Sequence, residues 1–172
     1  MAVAAALERH GLRAVLTGGA CASVYAGGKY TSRDMDFILR GAPRQAQLDE
    51  ALGTLGYVRT GDRYLHRAVP FYVEFPRGPL AIGSDYQIRP VARPVTGGGK
   101  AWLLSATDSC RDRLAAFYHW RDRESLRVAV WIALAQRLDM ERIRRWSAGE
   151  GFLPQFEEFL AEVRRVRSRR SR

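Results

Sequence analysis

Lysine is nearly missing from this 172-residue chain: of its 28 basic residues, Lys29 and Lys100 alone are lysines. The formal net charge of +10 is therefore carried almost wholly by arginine. A guanidinium binds phosphate through two parallel hydrogen bonds and stacks on bases, so this excess fits a nucleic-acid partner. Much of it sits in the stretch Arg164 to Arg172, which a plain reading makes a solvated basic end. Cysteine is scarce as well. Cys21 and Cys110 lie far apart, with no second Cys or His at metal-ligand spacing, which points to free thiols against a core rather than a zinc site or a disulfide. No apolar run approaches the roughly 20 residues that span a bilayer, so no membrane partner is expected. The Ala-rich start, Met1 to Leu7, lacks a basic n-region and leads into Glu8-Arg9-His10. It does not read as a signal peptide, and a cytoplasmic location is expected. There are no internal repeats.

What is present is an ordinary globular composition, 47% hydrophobic and 27% charged, in a chain long enough for one core plus a small appendage. Residues 2–10 read as a short helix, 13–17 as a buried strand, and 20–26 as a helix after the Gly18-Gly19 break. An acid-bearing strand follows at 34–39, then a helix at 47–55 with Pro43 near its start. Strands are predicted at 57–59, 63–65 and 69–75, joined by polar turns such as Thr60-Gly61-Asp62. Residues 76–100, rich in Pro and Gly, read as irregular. Gly97-Gly98-Gly99-Lys100 looks superficially like a phosphate-binding loop but lacks the upstream Gly, and Ala101 stands where Ser or Thr should follow. From Ser105 on the pattern is helical: one helix capped by Ser105 or Thr107, then others near 123–137, 139–146 and 156–166. The expected architecture is α+β: an α/β core of residues 1–104, with a small mixed sheet flanked by helices, and a helical bundle with a basic tail over 105–172.

Within that frame one pattern carries chemistry. Leu16-Thr17-Gly18-Gly19-Ala20 is followed by Ser32-Arg33-Asp34-Met35-Asp36-Phe37. Side chains alternate along a strand, so Asp34 and Asp36 project on one face while Met35 and Phe37 fill the other. Two carboxylates held so close repel, and a hard divalent cation such as Mg²⁺ or Mn²⁺ removes that penalty. Gly18-Gly19 lets backbone amides approach an anion where a helix begins. In Phe71-Tyr72-Val73-Glu74-Phe75, Tyr72 and Glu74 share a face, which offers a third carboxylate; the bland alternative is an edge-strand Glu facing water.

The order Gly18, Gly19, Tyr30, Ser32, Asp34, Asp36 resembles the DNA polymerase β-like nucleotidyltransferase superfamily, and within it the small bacterial AbiEii-type toxins. The chain departs from that pattern in having Gly19 where many relatives have Ser, and in a long spacer. The resemblance implies that Asp34, Asp36 and Glu74 bind Mg²⁺ or Mn²⁺, with Glu74 also the base for the attacking hydroxyl. It implies that Gly18, Gly19, Lys29 and Ser32 help hold the nucleotide. A distal helical motif in Thr107 to Arg123 implies contacts of Arg111 or Arg113 with the triphosphate, and an orienting role for Asp122. The plain alternative there is an ion-pair network on a helix surface. His119, between Tyr118 and Trp120, reads as packing.

The function expected is metal-dependent transfer of a nucleoside monophosphate from an NTP to an acceptor hydroxyl. The resemblance and the basic surface point to RNA, tRNA in particular, as acceptor. A toxin role, with a cognate antitoxin as partner, follows from the resemblance only. The alternatives are a small-molecule acceptor such as an aminoglycoside, a protein acceptor, or a catalytically silent nucleic-acid-binding module.

Overall fold

The computed structural model describes residues 1–96 and 98–170; Gly97 of the glycine run, and Ser171 and Arg172 of the basic tail, lie outside the described residues. Seven strands are found among them: β1 (Ala14–Leu16), β2 (Asp34–Leu39), β3 (Tyr57–Thr60), β4 (Arg63–His66), β5 (Tyr72–Glu74), β6 (Val91–Pro94) and β7 (Lys100–Leu103). They form one mixed sheet in the order β3-β4-β5-β2-β1-β7-β6. The short central strand β1 is apolar and buried throughout, with β2 antiparallel on one side and β7 parallel on the other. A parallel pair needs a crossover connection, and the β2–β5 pair receives one from α3 (Gln45–Gly53) and the β3–β4 hairpin. The first helix, α1 (Ala2–Arg9), buries Val3 to Leu7 and packs against β7. With Val15, Phe37, Val73 and Leu103, these side chains make the core of the first of two compact units, residues 1–21, 32–80 and 89–105.

The second unit takes in residues 22–31, 81–88 and 106–172. Its helices are α4 (Ala106–Trp120), α5 (Arg123–Ala135), α6 (Met140–Gly149) and α7 (Leu153–Arg170). Tyr118 is its aromatic centre, stacked 5.5 Å from Trp146 and 5.0 Å from Phe152, with its hydroxyl 2.8 Å from that of Ser147. Asp122 and Asp139 cap the starts of α5 and α6, each accepting from a backbone N–H of the first turn. Both cysteines are buried thiols outside any disulfide.

Several expectations need correction. The stretch 76–100 is not irregular throughout, since β6 and the start of β7 fall within it. Helix α2 (Gly18–Tyr25) opens on the glycines themselves rather than after them, because Thr17 O accepts from Cys21 N at 3.2 Å and closes the first turn. α3 starts at Gln45, with Arg44 as N-cap and the Gln47 side chain accepting from Arg44 N at 2.9 Å, so Pro43 lies outside the helix. β5 is trimmed to three residues between Pro70 and Pro76. Thr107 lies inside α4 and its hydroxyl accepts from Asp139 N at 3.1 Å. α7 runs to Arg170, well past the predicted 166, because arginine is a good helix former and Glu162 pairs with Arg165 on the exposed face.

Candidate active site

The site is built where β2, β5 and the start of α2 meet within the first unit. β2 pairs with β5 in parallel register, Asp34 opposite Tyr72 and Asp36 opposite Glu74. Alternation then sets Asp34, Asp36, Tyr72 and Glu74 on one face of the sheet as a two-by-two patch. Met35, Phe37, Val73 and Phe75 point the other way, and the Phe37 and Phe75 rings meet there with centroids 6.2 Å apart.

The Gly-Gly turn is fitted to this patch. Gly18 has φ +61° and is buried, and a Cβ built on it would lie 2.5 Å from Asp36 Oδ2. The Asp36 carboxylate therefore lies over the bare Cα of Gly18, at the N-terminus of α2, where partial positive charge collects. The backbone fixes this approach: Asp36 O accepts from Thr17 N at 2.9 Å and from Thr17 Oγ1 at 3.3 Å. Ser32 Oγ donates to Asp34 Oδ1, which orients the other carboxylate.

Two residues to which the sequence pattern assigns no role complete the face. Arg63 on β4 stands in antiparallel register with Glu74 and donates its Nε to Glu74 Oε1. Its guanidinium carbon sits 4.9 Å from the centroid of the Tyr72 ring. Burial, and then the Asp34 carboxylate, pushes the Tyr72 hydroxyl above the usual phenol pKa.

Three hard carboxylates on one face suit Mg²⁺ or Mn²⁺ by donor chemistry. As the side chains stand, no three His, Cys, Asp or Glu groups converge on a single point among the described residues. Glu74 is engaged with Arg63.

Of the other residues singled out from the sequence, Gly19 is buried in the first turn of α2, and Lys29 is exposed on the loop after it. Lys29, Arg111, Arg113 and Asp122 all belong to the second unit. Arg111 is 1% exposed and occupied by ion pairs, 2.6 Å to Asp85 and 2.8 Å to Asp108, with its guanidinium over the Trp146 ring. Asp108 also pairs with Arg142 at 2.9 Å, so this cluster ties α4 to α6 and to the 81–88 segment. Burial is the largest single influence and would raise the Asp85 carboxyl, but the hydrogen bonds from Arg111 and Gln87 N and the charges of Arg111 and Arg142 together outweigh it, and the net pKa is lowered. Arg113 pairs with Asp112 at 2.6 Å, and Asp122 is the α5 cap, accepting from Glu124 N and Ser125 Oγ.

The cap yields a testable distinction. The Ser125 hydroxyl, before any other cause, holds the Asp122 carboxyl below the usual range. A depressed folded pKa gives a stabilisation that is complete above about pH 4 and is lost as pH falls through the folded value. Asp122→Ala is expected to cost about 1 kcal/mol at neutral pH, and Asp122→Ser much less. Urea unfolding of both variants checks this; a loss of transfer without loss of stability would instead support the nucleotide role.

No protein-family profile matches the chain, and no curated protein matches it. Solved structures do. The solution structure of the antibiotic-resistance factor ANT(2'')-Ia matches over 98% of this chain and 94% of that one, at 16% identity and a TM-score of 0.48. The crystal structure of ANT(2'')-Ia in complex with adenylyl-2''-tobramycin matches over 93% of this chain and 94% of that one, at 17% identity and a TM-score of 0.51. At that identity the likeness concerns the fold: the mixed α/β arrangement described above is shared with ANT(2'')-Ia.

Proposed function

We propose that this chain is a divalent-metal-dependent nucleotidyltransferase, moving a nucleoside monophosphate from an NTP to an acceptor hydroxyl. The observation that carries the reading is the seating of the Asp36 carboxylate over Gly18 at the start of α2, beside Asp34 and in register with Glu74. That arrangement sets anion-binding backbone next to cation-binding carboxylates, as a metal–triphosphate complex requires.

Asp34 and Asp36 would hold the cation, with Glu74 joining them. The metal, when bound, neutralises charge on the phosphates and on the departing pyrophosphate. The first turn of α2 orients phosphate oxygens through backbone N–H groups and its dipole. Glu74 receives the proton of the acceptor hydroxyl as the bond to the α-phosphorus forms and the bond to pyrophosphate breaks. Positioning and charge neutralisation suffice for such chemistry, in keeping with a patch that offers no Ser or Cys nucleophile.

Two acceptor classes have support. The fold shared with ANT(2'')-Ia, solved with adenylyl-2''-tobramycin, favours a small hydroxylated molecule. The exposed run Arg164, Arg165, Arg167 and Arg169 on α7, with the +10 charge, favours RNA and would repel a cationic drug. Salt dependence separates them. If RNA is the acceptor, replacing those four arginines by Gln should flatten the plot of log affinity against log salt by about 0.7 for each phosphate no longer neutralised. Equal slopes for the variant and wild type would leave the small-molecule acceptor as the supported reading. Supplying labelled NTP with total RNA, and separately with a panel of aminoglycosides, shows which fraction takes the label.

A further inference from the structure

We infer that Arg63 is a cationic latch on the proposed metal position: its guanidinium pairs with Glu74 and must release it before that carboxylate can join Asp34 and Asp36. The inference rests on the nucleotidyl-transfer reading above. Arg63 and Glu74 are direct register partners across β4 and β5, so both side chains leave the same face of the sheet. That face is the one carrying Asp34, opposite Tyr72, and Asp36, opposite Glu74. The Nε–Oε1 contact and the seat of the guanidinium over the Tyr72 ring lay the positive charge along the Tyr72–Glu74 half of the patch. Glu74 is thus engaged, and among the described residues no three such acids converge on one point.

A guanidinium stays protonated at any working pH, so the exchange is one cation for another and no proton is lost. The pair is accessible, with Arg63 57% and Glu74 27% exposed, so water and a hydrated metal can reach it. Pairs of that exposure add little to folding stability. What Arg63 contributes is a positioning role: its single positive charge offsets that of Glu74, and it sets how tightly a metal competes for that carboxylate.

The test is a double-mutant cycle on Mn²⁺ affinity, read from loss of the free-ion electron paramagnetic resonance signal. It uses the full chain without nucleotide: wild type, Arg63→Gln, Glu74→Gln and the double variant, with Asp36→Ala as control. The latch predicts that Arg63→Gln tightens Mn²⁺ up to about fivefold at an unchanged melting temperature. It predicts further that the same substitution gives no gain once Glu74 is Gln. An equal gain in both backgrounds would mean a general charge effect and would overturn the inference, as would no gain in either. If Mn²⁺ binding depends on Asp36 yet ignores Arg63, the latch alone fails. If wild type binds Mn²⁺ no better than Asp36→Ala, the metal-dependent reading fails and the latch goes with it.

Discussion

Replacing Asp36 by alanine is expected to lower nucleotidyl transfer by about 10³-fold or more, with a melting temperature unchanged or slightly raised. The loss follows from the proposed reading, in which the carboxylate over Gly18 would be both a cation ligand and the group that places that cation beside the phosphates. The fold survives because the contacts tying this strand position to the 17–18 turn run through the main chain: Asp36 O still accepts from Thr17 N and Oγ1. Removing one of two neighbouring carboxylates also relieves their repulsion in the metal-free protein. Thermal melts and transfer assays on the same preparations decide the matter. A variant that unfolds would make Asp36 structural, and one that keeps near-normal transfer would remove it from the site.

Gly18→Ala is expected to damage both stability and transfer. Its φ of +61° is costly for any residue with a Cβ, by about 1–2 kcal/mol. The added methyl would also meet Asp36 Oδ2 at 2.5 Å, and the carboxylate, as the mobile partner, must swing away. A displacement of that kind in the proposed metal ligand is expected to reduce transfer by roughly 10²-fold. Gly28→Ala makes a useful control. Its φ is +75° but a Cβ there meets nothing within 4 Å, so it should share the backbone cost without the loss in turnover per folded molecule. Equal turnover losses in the two variants would mean that backbone strain, and not the approach of Asp36, sets the effect.

Much of this is legible from local pattern. The alternation in Asp34-Met35-Asp36-Phe37 and in Tyr72-Val73-Glu74 fixes which side chains share a face, whatever the rest of the sheet does. That β2 and β5 are neighbours, in parallel, is information the alternation does not hold, since it depends on a crossover through α3 and the β3–β4 hairpin. The strands that local pattern does not announce, β6 and β7, are short and set among Pro90, Pro94, Gly98 and Gly99. β7 nonetheless lies inside the sheet, with Ala101 and Leu103 fully buried, because β1, some 85 residues earlier, pairs with it. Local propensity is overridden there by a partner distant in sequence.

The glycines illustrate a different limit. Helix propensity disfavours Gly18-Gly19 as a helix start, yet the close approach of Asp36 demands Gly18 there, so propensity places the start of α2 two residues late. On α4, the spacing of Asp108 and Arg111 foretells that they share a face. It holds no sign that the guanidinium is buried between Asp85 and Asp108, since Asp85 comes from the 81–88 segment outside the helix. Arg63 stands out only in the folded chain, because its importance arises from cross-strand register with Glu74.

The central claim is most directly tested by the fate of labelled phosphate. Wild type and Asp36→Ala, each with Mg²⁺, are incubated in parallel with α-labelled and γ-labelled NTPs and with RNA or aminoglycosides as acceptors. Nucleotidyl transfer at this patch predicts α-label on an acceptor, γ-label released as pyrophosphate, and neither product from the variant or without the metal. Release of γ-label as inorganic phosphate, or transfer that persists in Asp36→Ala, would contradict it.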